Sequence, residues 1–387
     1  MNRSVTFLAV LLAATIAISG CKKENTSPTN AIELSGEVNI DSVLSNRKAA
    51  PVDYIVSGTL FLNAKVRIMP GTVIHLKEGA TVQVNANGAL VAWGSASERI
   101  TLTAVSGAKW NALIFYSQSD SNKLHYCDIK NGGRGSITNP AAMVIVGQNA
   151  YAEGKVSIRD CVFEASAGSG LFINDRSSVT DFHNNAFNSN TDFPITVTSE
   201  NVSDVNATST FSANGKNYVE IRDCVYPVGK NQTFAKLTVP YYIGGNVSLY
   251  GNDTIKAGVS FVFGSSAALI ADNFNANNRS LTVQGTAGSP VVFNSENSSG
   301  WQSLTIRGSA YSAINYAEFK NAGNVANQYG QQAAVIVENA GANVSIRDCV
   351  FDNSGGYGID LGGCTNYNSD IATANSFVNC ASGNVKY

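Results

Sequence analysis

Apolar residues recur at every second position in short runs along nearly the whole chain. Leu60-Phe61-Leu62, Val73-Ile74-His75-Leu76, Thr81-Val82-Gln83-Val84 and Ile100-Thr101-Leu102 are early examples. A period of two belongs to a β-strand with one face buried. Each run gives way within a few residues to a turn rich in Gly, Asn and Ala, and no amphipathic helical period occurs after residue 21. The pattern predicts an all-β protein.

The runs are themselves repeated. Val156-Ser157-Ile158-Arg159-Asp160-Cys161-Val162-Phe163 returns 188 residues later as Val344-Ser345-Ile346-Arg347-Asp348-Cys349-Val350-Phe351, and Ile221-Arg222-Asp223-Cys224-Val225-Tyr226 echoes it between them. Trp110 with Trp301, Phe187 with Phe377 and Gly71 with Gly258 keep nearly the same offset, at 191, 190 and 187. The chain therefore divides into copy one over 54–200, joining coils over 201–240 and copy two over 241–387, a tandem duplication. Within a copy, Phe163 and Phe187 lie 24 apart, and three short strands fit that beat. A unit so short cannot bury its own inner face, so neighbours must stack. Propeller blades need four strands in about 40–50 residues, and a sandwich needs sharp hairpin turns, so neither suits this spacing.

These features resemble the right-handed parallel β-helix proteins, in particular exported lipoproteins of Bacteroidetes-type bacteria. The residues that carry the likeness are Met69-Pro70-Gly71-Thr72-Val73-Ile74, Gly88-Ala89-Leu90-Val91-Ala92-Trp93-Gly94, Arg99-Ile100-Thr101-Leu102-Thr103 and Lys109-Trp110-Asn111-Ala112-Leu113-Ile114-Phe115. Lys256-Ala257-Gly258-Val259, Thr282-Val283-Gln284-Gly285-Thr286, Pro290-Val291-Val292-Phe293 and Gly300-Trp301-Gln302-Ser303-Leu304 repeat the series. The resemblance implies one right-handed solenoid of roughly 15 coils at about 22 residues each. It carries a fold and an exported class, and no activity.

The first 20 residues read as an export leader. Arg3 precedes an apolar stretch over residues 5–18, too short for a membrane span of about 20 residues. Ile18-Ser19-Gly20-Cys21 resembles the bacterial lipoprotein signal, which implies acylation of Cys21. Several acyl chains at roughly 0.8 kcal/mol per buried CH₂ would hold the protein on a membrane. Lys22 stands where many inner-membrane lipoproteins carry Asp, which favours the outer membrane, on its periplasmic face or at the cell surface. Residues 21–53 then comprise the lipidated N-terminus, a polar tether and a lead-in to the first coils.

Composition narrows the function. Charged residues make up 14% of the chain and the net charge is −2, which gives no broad basic field for nucleic acid. Cys127, Cys161, Cys224 and Cys349 each lie two positions before an apolar residue, as do Asn185 and Asn375, and are read as one inward column at a coil corner. Cys364 and Cys380, 16 apart, are the disulfide candidates. Two positions before the column stand His125, Arg159 and His183 in copy one and Asn315, Arg347 and Thr373 in copy two, all expected to point outward into solvent. His125, Arg159 and His183 are candidate binding residues, although two His without an assured third ligand do not make a metal site.

No cofactor or metal ion is expected. The clustered Asp residues of a β-helix lyase and the paired carboxylates of a hydrolase are not visible, because Asp175, Asp181, Asp192, Asp352, Asp360 and Asp370 are scattered singly. Two insertions lengthen the beat, at 131–141 and 321–333, and insertions in a solenoid emerge on one face, often the binding face. Arg134 and Tyr329 lie on them. The reading is a membrane-anchored, non-catalytic binding or adhesion scaffold with polysaccharide or glycan as partner. A polysaccharide lyase or glycoside hydrolase of the pectate-lyase-like β-helix type is the alternative.

Overall fold

The alternation along the chain becomes stacked parallel strands. A computed structural model describes residues 30–134, 141–147, 152–272 and 278–387; the leader, Cys21, most of the tether and residues 135–140 of the first insertion lie outside them. The described residues form an all-β, solenoid-like stack of 38 strands with one short 3-10 helix, Ser199–Asp204. Most coils carry three strands; at the start Ile32–Val38 and Tyr54–Leu62 each run through the second and third faces as one strand. In the N-terminal half, Lys155–Arg159 lies on the first face, Val162–Glu164 on the second and Ser169–Ile173 on the third. Each pairs in parallel with its equivalents one coil away: Lys155–Arg159 lies between Lys123–His125 and Ser178–His183. Residues thus form columns spaced by about 4.8 Å, the strand separation.

Two corners of the coil explain the Asn and Asp content. Between the first and second faces Tyr126, Asp160, Asn184, Tyr316 and Asp348 adopt positive φ, from 48° to 54°. After the second face Asn131, Ala165, Ser189, Asn321, Asn353 and Asn379 do the same. The left-handed region is tolerated best by Asn and Asp among non-glycine residues, so the Arg-Asp pairs of the repeat are corner residues. The residue after the first corner points inward. Cys127, Cys161 and Cys349 are buried, and their thiols donate to Ala92, Leu124 and Ile314 carbonyls one coil away. Where Asn185 and Asn375 take this place, each side-chain oxygen accepts the backbone N–H of the Cys before it in the column, Cys161 or Cys349, at 3.0 Å.

The second-face core differs between halves. Tyr54, Ile74, Leu102, Ile129, Phe163, Phe187 and Phe211 stack in the N-terminal half. In the C-terminal half Phe261, Phe293, Phe319, Phe351 and Phe377 form an unbroken aromatic column with centroids 4.8–5.1 Å apart. Partners in these columns are separated by between 20 residues (Tyr54 to Ile74) and 34 (Ile129 to Phe163), so the coils are less uniform than a fixed beat of 22 assumes.

The ladders change partners at the junction. The second-face ladder of the N-terminal half ends at Thr210–Ser212. The third-face ladder, through Ile195–Thr198 and Val219–Arg222, continues into Tyr241–Ile243 and Ser260–Phe263, which begin the second face of the C-terminal half. On the first face the 3-10 helix stands between Ser178–His183 and Thr233–Phe234 and is tied to both by side chains: Asp204 accepts the Val179 N–H, and Ser203 accepts that of Thr233.

Three expectations are corrected here. Cys224 follows the third-face strand Val219–Arg222 rather than a first-face strand, so it is buried beside Glu200 and outside the Cys column. Thr373 lies beyond the ladder, because the last first-face strand is only Asn366–Tyr367. Cys364 and Cys380 are free thiols. They occupy different corners, one after the third-face strand Tyr357–Asp360 and one after the second-face strand Ser376–Val378, and their thiols approach different carbonyls, Ala342 and Phe351.

Candidate functional site

The first face of the N-terminal half gathers three of the five sequence-named binding residues. Trp93, His125, Arg159 and His183 are consecutive members of one outward column. The neighbouring outward column runs Arg67, Val91, Lys123, Ser157 and Thr180. Strand geometry puts both on the same surface, because residues two apart point the same way.

Trp93 dominates this surface. Its side chain is 46% exposed, and the Lys123 ammonium and the Arg159 guanidinium carbon each lie 5.8 Å from its ring centroid. Both cations are within range of the ring's negative face. His125 was expected in solvent and instead is only 2% exposed. The Trp93 ring covers it in an edge-on contact with centroids 5.0 Å apart, and His125 Nε2 sits 2.6 Å from Ser157 Oγ. Burial first, then the charges of Arg159 and Lys123, lower its pKa to about 4, so the imidazole is neutral at neutral pH. His125 Nδ1 and Arg159 Nε are buried without a hydrogen-bond partner among the described residues.

A β-bulge completes the arrangement. Ser157 pairs with Thr180 and Arg159 with His183, so Asp181 and Phe182 together stand opposite Ile158. Asp181 takes φ 51°, and the extra residue turns its carboxylate outward. Its oxygens lie 3.4 Å from Arg159 Nη1 and 3.1 Å from His183 Nε2. The site is a sheet surface with one aromatic ring, a row of cations and one carboxylate shared by two neighbours. Trp93 was missed as a surface group because Gly88–Gly94 reads as a continuous apolar strand; the parity of Trp93 with Val91 is the signal that finds it.

The other two named residues lie elsewhere. Arg134 pairs with Glu78 beside Lys109, at the corner between the second and third faces of the N-terminal half. Tyr329 is exposed on the second insertion and borders an open polar groove of about 470 Å³ with Asp272, Arg307 and Glu338. Those three follow successive third-face strands, and Arg307 bonds Glu338 at 2.6 Å and approaches Asp272 at 3.7 Å. Arg134 and Tyr329 therefore border separate surfaces.

Acidic side chains do collect at the junction, where backbone takes the oxygens of Glu200 and one of Asp175, whose Oδ1 is buried without a hydrogen bond among the described residues. Glu200 and Asp175 are each 2% exposed. Glu200 accepts the N–H groups of Val228, Gly229 and Lys230, and Asp175 accepts those of Val225 and Tyr226. Among the described residues no group of three or more His, Cys, Asp or Glu is placed to hold a metal ion. Compared with protein-family models, curated proteins and solved structures, the chain matches none.

Proposed function

We propose that the protein is a non-catalytic carbohydrate-binding scaffold whose binding surface is the first face of its N-terminal half. The half-exposed Trp93 ring carries this reading. A half-exposed indole offers a platform to the C–H face of a sugar ring, and its neighbours Arg159, Asp181 and His183 supply the donors and acceptors that sugar hydroxyls need. A ladder holds these groups without reorganisation, which lowers the entropy lost on binding.

The finer architecture we propose is one continuous right-handed parallel β-helix. Parallel strands joined by crossovers are right-handed in about 98% of cases, which supports the hand, and the uneven coil lengths support fewer than 15 coils. The Ile18-Ser19-Gly20-Cys21 signal supports a lipoprotein of the Bacteroidetes type, anchored in the outer membrane through Cys21. Cys21→Ser is expected to abolish labelling by a fatty-acid tracer and release the protein from membranes; retained label would remove the anchor.

Binding of the full chain to a glycan array, with analysis of the glycans afterwards, tests the function. Bound glycan recovered intact is expected, with Trp93→Ala weakening binding by at least about tenfold, or 1.4 kcal/mol. New reducing or unsaturated ends would favour the hydrolase or lyase alternative. Undiminished binding by folded Trp93→Ala would move the site away from this face.

A further inference from the structure

We propose that the polymer bound on this face is an anionic glycan, one whose sugars carry carboxylate or sulfate groups; this rests on the carbohydrate reading above. The charge around Trp93 is one-sided. Lys123 and Arg159 approach its ring from two strands, and Arg67 stands two strands from Lys123 in the neighbouring column, roughly 10 Å away at the usual strand spacing. Arg67 forms no salt bridge among the described residues, and Lys123 acts on a carboxylate, that of Asp120, only at longer range, while Lys155 is paired with it directly. The facing acid is Asp181, which Arg159 and His183 already share. Asp160, at the corner, accepts from Asn184, and Asp120, at the far end of the strands, pairs with Lys155. His125 is neutral and adds no charge.

A sugar ring seated on Trp93 then places substituents near Lys123 and Arg159, and the next unit along the stack reaches Arg67. Unpaired cations beside an aromatic ring are poor neighbours for a neutral polymer, since they lose hydration without gaining a counter-charge. The equivalent positions in the C-terminal half are different: Thr254 and Ala313 stand where Arg67 and Lys123 do, and Arg347, in the place of Arg159, pairs with Asp370. The excess of free cations is thus a property of the Trp93 surface within a chain of net charge −2. Single-stranded nucleic acid also combines stacking with charge, but the proteins that take it present several successive aromatic platforms, and this column has one.

Titration of the full chain with alginate, esterified alginate, dextran, dextran sulfate and oligo-dT, at low and high salt, tests the proposal. Alginate or dextran sulfate is expected to bind, with affinity falling by at least about tenfold on esterification of alginate and by a similar factor in the Arg67→Gln/Lys123→Gln double variant. Thermal unfolding of that variant is expected to match the wild type, since both side chains are at the surface. Preference between alginate and dextran sulfate identifies which anion is recognised. Equal binding of dextran and alginate, unchanged in the double variant yet lost in Trp93→Ala, would overturn the anionic ligand and leave the sugar-binding face intact. Absence of binding to every glycan by the folded chain would instead remove the carbohydrate reading. Tighter binding to oligo-dT than to any glycan would replace it with nucleic acid.

Discussion

The first faces of the two halves share an interior and differ on the outside. Inward, Ile68, Ala92, Leu124 and Ile158 stack in the N-terminal half, and Ile255, Val283, Ile314 and Ile346 in the C-terminal half, all buried. Outward, Trp93, His125 and Arg159 have Gln284, Asn315 and Arg347 as their counterparts. An inward residue must fit the coils above and below it at crystal-like density, so its choices are narrow. An outward residue touches solvent and can change without disturbing the stack. Function in such a fold is written in the outward columns, and the difference between two halves on one frame marks where to look for it.

The comparison breaks most readily from the inside. Ile158→Ala and Ile346→Ala are each expected to cost about 2–5 kcal/mol in chemical denaturation, alike in the two halves, because both remove a fully buried branched side chain. A large cost in one half only would mean that the interiors are not equivalent.

A smaller effect is expected at the start of the C-terminal half. Burial pushes the Asp253 carboxyl up to about 6, against the pull of the Gln232 and Gly251 N–H groups that bond it. Its folded form holds a proton that the unfolded chain releases near pH 4, so this contribution to stability is present below that pH and is lost as pH rises through about 6. Relative to wild type, Asp253→Asn should gain up to about 3 kcal/mol between pH 4 and 6 and stay level above, as read by denaturation at a series of pH values. A difference independent of pH would remove the buried proton.

The smallest effects sharpen the contrast between the outward columns. Arg159→Ala and Arg347→Ala should each cost at most about 1 kcal/mol of stability, since each loses a partly exposed ion pair. Only Arg159→Ala should weaken glycan binding. Equal losses of binding from both would deny the first face of the N-terminal half its special role.

The all-β, parallel class was legible because alternation and the Phe spacing are local signals: Ile158 and Cys161 point inward as their parity requires. Which face a strand joins was not legible, since all three faces share one alternation and the partner depends on the length of chain in between. Ile221-Arg222-Asp223-Cys224 repeats the sequence of a first-face corner and lies on the third face for that reason. The position of Asp181 between Arg159 and His183 was not legible, because a bulge adds one residue and shifts the parity that the reading depends on. His125 was placed on the correct side of the strand and in the wrong environment: its solvent is excluded by Trp93, one coil away and 32 positions earlier in the chain.

The change of ladders at the junction bears on how order spreads through the molecule. In a stack where each coil is stabilised only by its neighbours, opening travels from one coil to the next. One backbone ladder crosses from the N-terminal to the C-terminal half, through Val219–Arg222 and Tyr241–Ile243, while the second-face ladder stops and the first is carried by side chains of the 3-10 helix. A front of fraying that starts at either end meets its weakest coupling there and stalls. Heat or mechanical force applied to one half is then expected to leave the other folded, and amide exchange to report two cooperative blocks along the stack.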